Sequence, residues 1–262
     1  MDFVVTSDAK MKKQYYFLVG LPRAGNTLLG SLINQNSNVC LTAYSVLTET
    51  LWQLELLKQQ DTFLNFPDRK SFDNVTKNVV KNYYSKYTAN KIIDRGHWGT
   101  PANLKQVKNN VTKNPKFIIL YRPVVECLAS FVKIGEPARD KALLERYLAD
   151  NSFMGMAKMA IENIIIEKED YIFVTYKDLT TKPIDTVKKI FKFIEEDYNP
   201  IQTTNLKQMQ INNITYDDSV LAYKAHTIKT NLIKHEEIKV DNYLSKWVIE
   251  EAIKFDTIMD YV

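Results

Sequence analysis

The most restrictive feature of this chain is the run Phe17-Leu18-Val19-Gly20-Leu21-Pro22-Arg23-Ala24-Gly25-Asn26-Thr27-Leu28-Leu29. An apolar stretch of strand character stops at Gly20, a tight loop follows, and beyond Gly25 the apolar residues continue at helical spacing. In a strand, loop and helix joined this way, the backbone N–H groups and the positive end of the helix dipole converge on one point. That point is suited to an anion. Such a unit needs further strands beside it, so the rest of the chain is expected to supply a sheet.

Four short apolar, β-branched or aromatic runs read as buried strands: Tyr15 to Val19, Lys91 to Asp94, Lys116 to Tyr121 and Tyr171 to Thr175. Helical patterns separate them. Helices are predicted over 27–35, over 45–60 with a stripe at Leu47, Leu51, Leu54 and Leu57, over 71–87, after Thr100 and Pro101, over 124–133, across much of 139–167, and over 184–195. This alternation predicts an α/β fold, a three-layer sandwich with a central parallel sheet and ligands at the carboxyl ends of the strands.

A chain of 262 residues, 45% hydrophobic and without repeats or low-complexity tracts, reads as one domain over 1–262. Residues 1–13 are read as a disordered N-terminus. The patternless stretch 199–241 is the expected place for a lid or acceptor loop.

Other classes are disfavoured. The net charge of +4 is modest and the lysines are dispersed among acids, so no nucleic-acid footprint is expected. No apolar run approaches the roughly 18 to 20 residues of a membrane helix, which leads us to expect a soluble, cytoplasmic protein. Cys40 and Cys127 are too few for a disulfide framework and read as small buried apolar residues, and no Cys/His spacing suggests a metal site.

Within the anion loop, Gly20 and Gly25 have the spacing of a P-loop and Thr27 stands where the P-loop hydroxyl would be, but Asn26 replaces the lysine. A nucleoside triphosphatase without that lysine lacks the cation that reaches the β/γ-phosphates. Arg23 offers instead a forked, permanently charged donor to a terminal anionic group.

The segment from Gly20 to Leu29 resembles the 5′-phosphosulfate loop of the sulfotransferases that use 3′-phosphoadenosine 5′-phosphosulfate (PAPS), whose usual form is Gly-x-Pro-Arg-Ser-Gly-Thr-Thr. Ala24 and Asn26 depart from it. The resemblance implies a P-loop NTPase-like sulfotransferase fold with Pro22, Arg23, Ala24, Gly25, Asn26, Thr27 and Leu28 around the donor, PAP (3′,5′-ADP) as product, and no metal. With the hydroxyl missing at Ala24, backbone N–H groups take over part of the contact, while Asn26 still has an amide to donate.

Further along, Arg122 at a strand end and Ser130 on the following helix have the family's 3′-phosphate spacing, and a guanidinium is well suited to phosphate oxygens. Tyr176, at the end of Tyr-Ile-Phe-Val-Thr-Tyr, matches a nucleotide-contacting tyrosine, with a core aromatic as the competing reading. Lys246 in Tyr-Leu-Ser-Lys-Trp is similar to a nucleotide-touching lysine of the tyrosylprotein branch; the competing reading is a surface lysine.

For the acceptor's proton, His97 in Asp94-Arg95-Gly96-His97 is the expected base, with Arg95 standing where the cytosolic enzymes have a lysine on the transferring group. The tyrosylprotein branch uses a glutamate after the first helix, but Cys40 to Ser45 holds no carboxylate. Glu49 reads as solvated, and Asp94 as pairing with Arg95. The acceptor, whether small molecule, glycan or peptide, is left open, as is a nucleotide kinase or an inactive nucleotide-binding protein as the alternative function.

Overall fold

The computed structural model describes residues 12–135, 140–216, 226–227, 233, 235 and 237–262. Most of the expected N-terminal tail and much of the patternless 199–241 stretch therefore lie outside the described residues, as does Arg139.

The first strand, β1 (Gln14–Gly20), runs into the loop and then α1 (Asn26–Ile33), after which the chain returns as β2 (Val39–Tyr44). Helices α2 (Leu47–Leu57), α3 (Asp61–Asn65) and α4 (Arg69–Tyr83) lead to β3 (Lys91–Arg95), and α5 (Pro101–Asn110) leads to β4 (Lys116–Tyr121). Then come α6 (Val124–Lys133), α7 (Asp140–Tyr147) and α8 (Phe153–Ile166), followed by β5 (Asp170–Thr175) with α9 (Tyr176–Thr181) and α10 (Pro183–Phe193). A two-stranded hairpin, β6 (Gln210–Ile211) and β7 (Ile214–Thr215), precedes the last α-helix, α11 (Lys246–Phe255).

The main sheet is parallel with order β2-β3-β1-β4-β5. From Phe17 onward β1 is buried, as a strand covered on both faces must be. The order also places the ligand crevice. Beyond β1 the chain leaves toward β2 on one side, and beyond β4 it leaves toward β5 on the other, so the loops after these adjacent strands part and leave a cleft at their carboxyl ends.

The expected architecture is present, with three differences. β2 is an additional strand: Val-Cys-Leu-Thr-Ala-Tyr has no clean alternation and gains its strand character from pairing with β3. The stretch expected as one helix over much of 139–167 is two, because Ser152 caps a new start by accepting from the Gly155 N–H at 2.9 Å. Within 199–241 the chain forms the β6–β7 hairpin, whose Asn212 and Asn213 both take positive φ, 50° and 65°, a backbone that asparagine tolerates better than most residues.

One packing contact fixes the far side of the site. α8 lies directly against Gly99, where a Cβ would come within 2.2 Å of the Ala160 carbonyl oxygen, and Asn163 Nδ2 donates to the Gly99 carbonyl at 2.8 Å. The obstacle is backbone, so it cannot swing aside. Gly99→Ala is expected to lower stability by about 1–3 kcal/mol through displacement of α8, read as a drop in the urea midpoint with an unchanged m-value.

Candidate active site

Between β1 and α1 the loop bends through two left-handed residues, Arg23 with φ 65° and Gly25 with φ 96°. Glycine is required at 25 both for that backbone and for space: a Cβ would sit 3.1 Å from carbon atoms of Tyr176 and Leu179. Arginine at 23 carries the left-handed strain and is braced. Arg122 Nη1 donates to the Arg23 carbonyl oxygen at 3.2 Å.

The residues expected to hold an anion at 23, 122, 130 and 176 come together here. Arg23 Nε donates to Ser130 Oγ at 3.2 Å, and the Arg122 guanidinium lies 4.1 Å from the centre of the Tyr176 ring. Arg122 Nε donates to Glu126 at 3.0 Å. Burial, then the neighbouring Arg122 charge, push the Arg23 pKa down. Two guanidinium groups are thus held side by side and largely out of water. An anion between them relieves both penalties.

The loop's other members divide. Pro22 and Ala24 are buried as loop framework, and Leu28 is half-buried in the first turn of α1. The Thr27 hydroxyl makes no hydrogen bond within the described residues, so it is available to a ligand. Asn26 is not: its amide donates to the Leu21 carbonyl at 2.8 Å, tying the loop across its own neck. The asparagine replaces the missing lysine with an internal brace. Lys246 heads α11 with its side chain 92% exposed and its ammonium 3.9 Å from Glu250, and none of its contacts joins it to the arginine cluster.

On the other side of β1, the end of β3 carries Arg95 and His97. Asp94 does not pair with Arg95. Successive strand residues face opposite sides of a sheet, and Asp94 is instead enclosed by Ser45 Oγ at 2.8 Å, the Tyr84 hydroxyl at 2.5 Å and Trp98 Nε1 at 3.2 Å, all donating to it. Burial nevertheless raises its pKa to about 6. Arg95, only 7% exposed, has no hydrogen bond or ion pair from its guanidinium among the described residues, and burial lowers its pKa to about 10. Glu49 is exposed, as expected. Cys40 and Cys127 are buried free thiols.

His97 is also 7% exposed. Its Nδ1 meets the Tyr44 hydroxyl at 2.9 Å, while its Nε2 is buried with no hydrogen-bond partner. The imidazole is flanked edge-on by Tyr44 and by Phe153, with ring centres 5.0 and 4.6 Å away. Burial first, then Arg95, lower its pKa to about 4, so at neutral pH it is an uncharged base. Residues 40–45 do not by themselves mark Tyr44 as a partner of His97; the signal available is a tyrosine closing a strand beside the one that ends at Arg95.

With this geometry in view, comparison with known proteins gives a consistent answer. A family profile described as the sulfotransferase family matches residues 16–200. The chain belongs to the sulfotransferase family. Its fold is that of mouse sulfotransferase SULT7A1 complexed with PAP (TM-score 0.52, 15% identity, covering 97% of this chain and 89% of that one). A sulfotransferase from Alicyclobacillus acidocaldarius also matches (TM-score 0.50, 8% identity, covering 75% and 86%). The search of curated proteins returns no match. The chain is thus an enzyme of the sulfotransferase class, and no described helix is long and apolar enough to cross a membrane.

The two buried titrating groups pull stability in opposite directions. Asp94, with its folded pKa raised from 3.8 to about 6, makes the protein lose stability as pH rises between those values; His97, with its pKa lowered from 6.5 to about 4, makes it gain stability over much the same window. Asp94→Asn is expected to unmask the His97 trend. Its unfolding free energy, measured relative to wild type by urea titration at pH 4 and pH 6.5, should rise by about 2–3 kcal/mol.

Proposed function

We propose that this sulfotransferase moves the sulfuryl group of PAPS to a hydroxyl, or to an amine, of an acceptor that approaches from the β2 and β3 side. Cleavage of the sulfur–oxygen bond to phosphate leaves its electron pair on the departing PAP, as the acceptor oxygen forms the new bond to sulfur. The observation that carries this reading is the single cluster of Arg23, Arg122, Ser130 and Tyr176 around the β1/β4 cleft, which gathers two guanidinium groups, a hydroxyl and an aromatic ring at one place.

Each part has a role. Arg122 and Ser130 take the 3′-phosphate, with Tyr176 packed on the guanidinium. Loop N–H groups from Ala24 to Leu28 and the Thr27 hydroxyl hold the 5′ end, and Arg23 neutralises the charge that builds on the leaving phosphate. From the opposite side, Arg95 faces the transferring group and His97 Nε2 accepts the acceptor's proton. Among solved relatives, the mouse enzyme is described in complex with PAP, in keeping with this donor. Lys246, exposed at the start of α11, is assigned to the nucleotide by its place in the Tyr-Leu-Ser-Lys-Trp segment alone. Two free buried thiols fit a cytoplasmic location.

Thermal shifts with 3′,5′-ADP, 5′-AMP and ATP test the donor. Stabilisation should be largest with 3′,5′-ADP, and Arg122→Ala should weaken that ligand by about 10- to 100-fold, or roughly 1.5–3 kcal/mol for a charged hydrogen bond, with a smaller loss for 5′-AMP, which depends on Arg122 only through its bond to the Arg23 carbonyl. A preference for ATP would overturn the donor assignment in favour of a phosphotransferase. With phenols, sugar alcohols and amines as trial acceptors, His97→Gln should cut kcat for PAP release by about 10²- to 10⁴-fold and leave 3′,5′-ADP affinity unchanged.

A further inference from the structure

The remaining unexplained contact is that between Tyr44 and His97, and its interpretation rests on His97 as the base. Held neutral, the imidazole carries one ring proton, on Nδ1 or on Nε2, and only the Nδ1–H form leaves a lone pair on Nε2. Nδ1 has the Tyr44 hydroxyl at 2.9 Å, a group able either to donate or to accept. We propose that Tyr44 is a positioning residue: its oxygen accepts the Nδ1 proton of His97 and so fixes the tautomer whose Nε2 lone pair meets the acceptor hydroxyl.

Three observations support this assignment. Nε2 is buried and makes no hydrogen bond, and an N–H left there without an acceptor would cost about 1–3 kcal/mol, whereas unpaired lone pairs are the better tolerated defect. The Phe153 backbone lies near enough to favour a protonated ring, third after burial and Arg95, yet among the described residues the only ring hydrogen bond of ordinary geometry is that of Nδ1 with Tyr44. Secondly, the phenol keeps its own proton: burial raises the Tyr44 pKa, so the group stays a neutral O–H whose oxygen still has lone pairs to accept with, and the Thr48 side chain and the His97 backbone stand beside it.

Thirdly, the pair is held rigidly from below. Ser45, next to Tyr44, and Trp98, next to His97, both donate to the same buried carboxylate, Asp94. One acid therefore anchors both loops, and the Phe153 ring closes the remaining edge of the imidazole at 4.6 Å between ring centres. A free histidine in water favours the Nε2–H form, so a base at this position needs a group that reverses the preference.

The test is the nitrogen-15 spectrum of the histidines in the full chain, with His97 assigned by its loss in His97→Gln. Wild type should show a protonated Nδ1 and an unprotonated Nε2, and Tyr44→Phe should move the proton to Nε2. Phe153→Leu, which alters packing but no hydroxyl, should keep the wild-type tautomer. A protonated Nε2 in wild type, the same tautomer in wild type and Tyr44→Phe, or loss of the tautomer in Phe153→Leu would each overturn the proposal. With whichever trial acceptor is turned over, Tyr44→Phe should lower kcat about tenfold, the equivalent of about 1.4 kcal/mol, at unchanged KM for PAPS. If His97→Gln keeps the wild-type rate, the base assignment fails while the tautomer result stands; the converse outcome removes Tyr44 alone.

Discussion

The structure depends on one charged contact, the Arg122 guanidinium on the Arg23 carbonyl. A loop that aims its N–H groups at an anion must turn sharply, and here it does so through a left-handed arginine followed by a left-handed glycine. Left-handed backbone is costly for arginine, and the bond from Arg122 offsets part of that cost while holding the second cation against the first. The shape of the loop and its backbone strain are thus maintained by the same side chain. The sheet order makes the contact possible, since β1 and β4 are neighbours whose continuations leave in opposite directions.

Around that contact the cleft has two chemical halves. On the β4 and β5 side are cations, a serine and an aromatic ring, a set suited to an anion. On the β2 and β3 side are a neutral histidine, a buried guanidinium with no counter-ion among the described residues, and two aromatic rings, Tyr44 and Phe153, each more than a third exposed. The halves differ in how they treat charge. One concentrates positive charge, while in the other burial and Arg95 keep the His97 imidazole unprotonated.

Beneath the second half, Asp94 shows why a buried carboxylate is retained at a cost. Its desolvation is compensated by three donors, and two of those donors belong to the segments that carry Tyr44 and His97. Loss of this acid would release both loops together, whereas neighbouring apolar substitutions in the core disturb only packing.

The glycine-bounded loop after β1 and the alternation of strands and helices were legible in the amino-acid sequence, because each rests on local spacing: glycines where the backbone must turn, and apolar residues at strand or helix period. Even the burial of Cys40 and Cys127 follows from their type and apolar neighbours. What residue order alone does not contain is direction and company. The strand β2 exists because β3 lies beside it, Asn26 turns inward because Leu21 offers a carbonyl, Lys246 stays in water on α11, and Tyr44 meets His97 across 53 positions of chain. Local spacing sets which groups are available, but a partner reached only by folding decides which of them donates, which accepts and which is left facing the ligand.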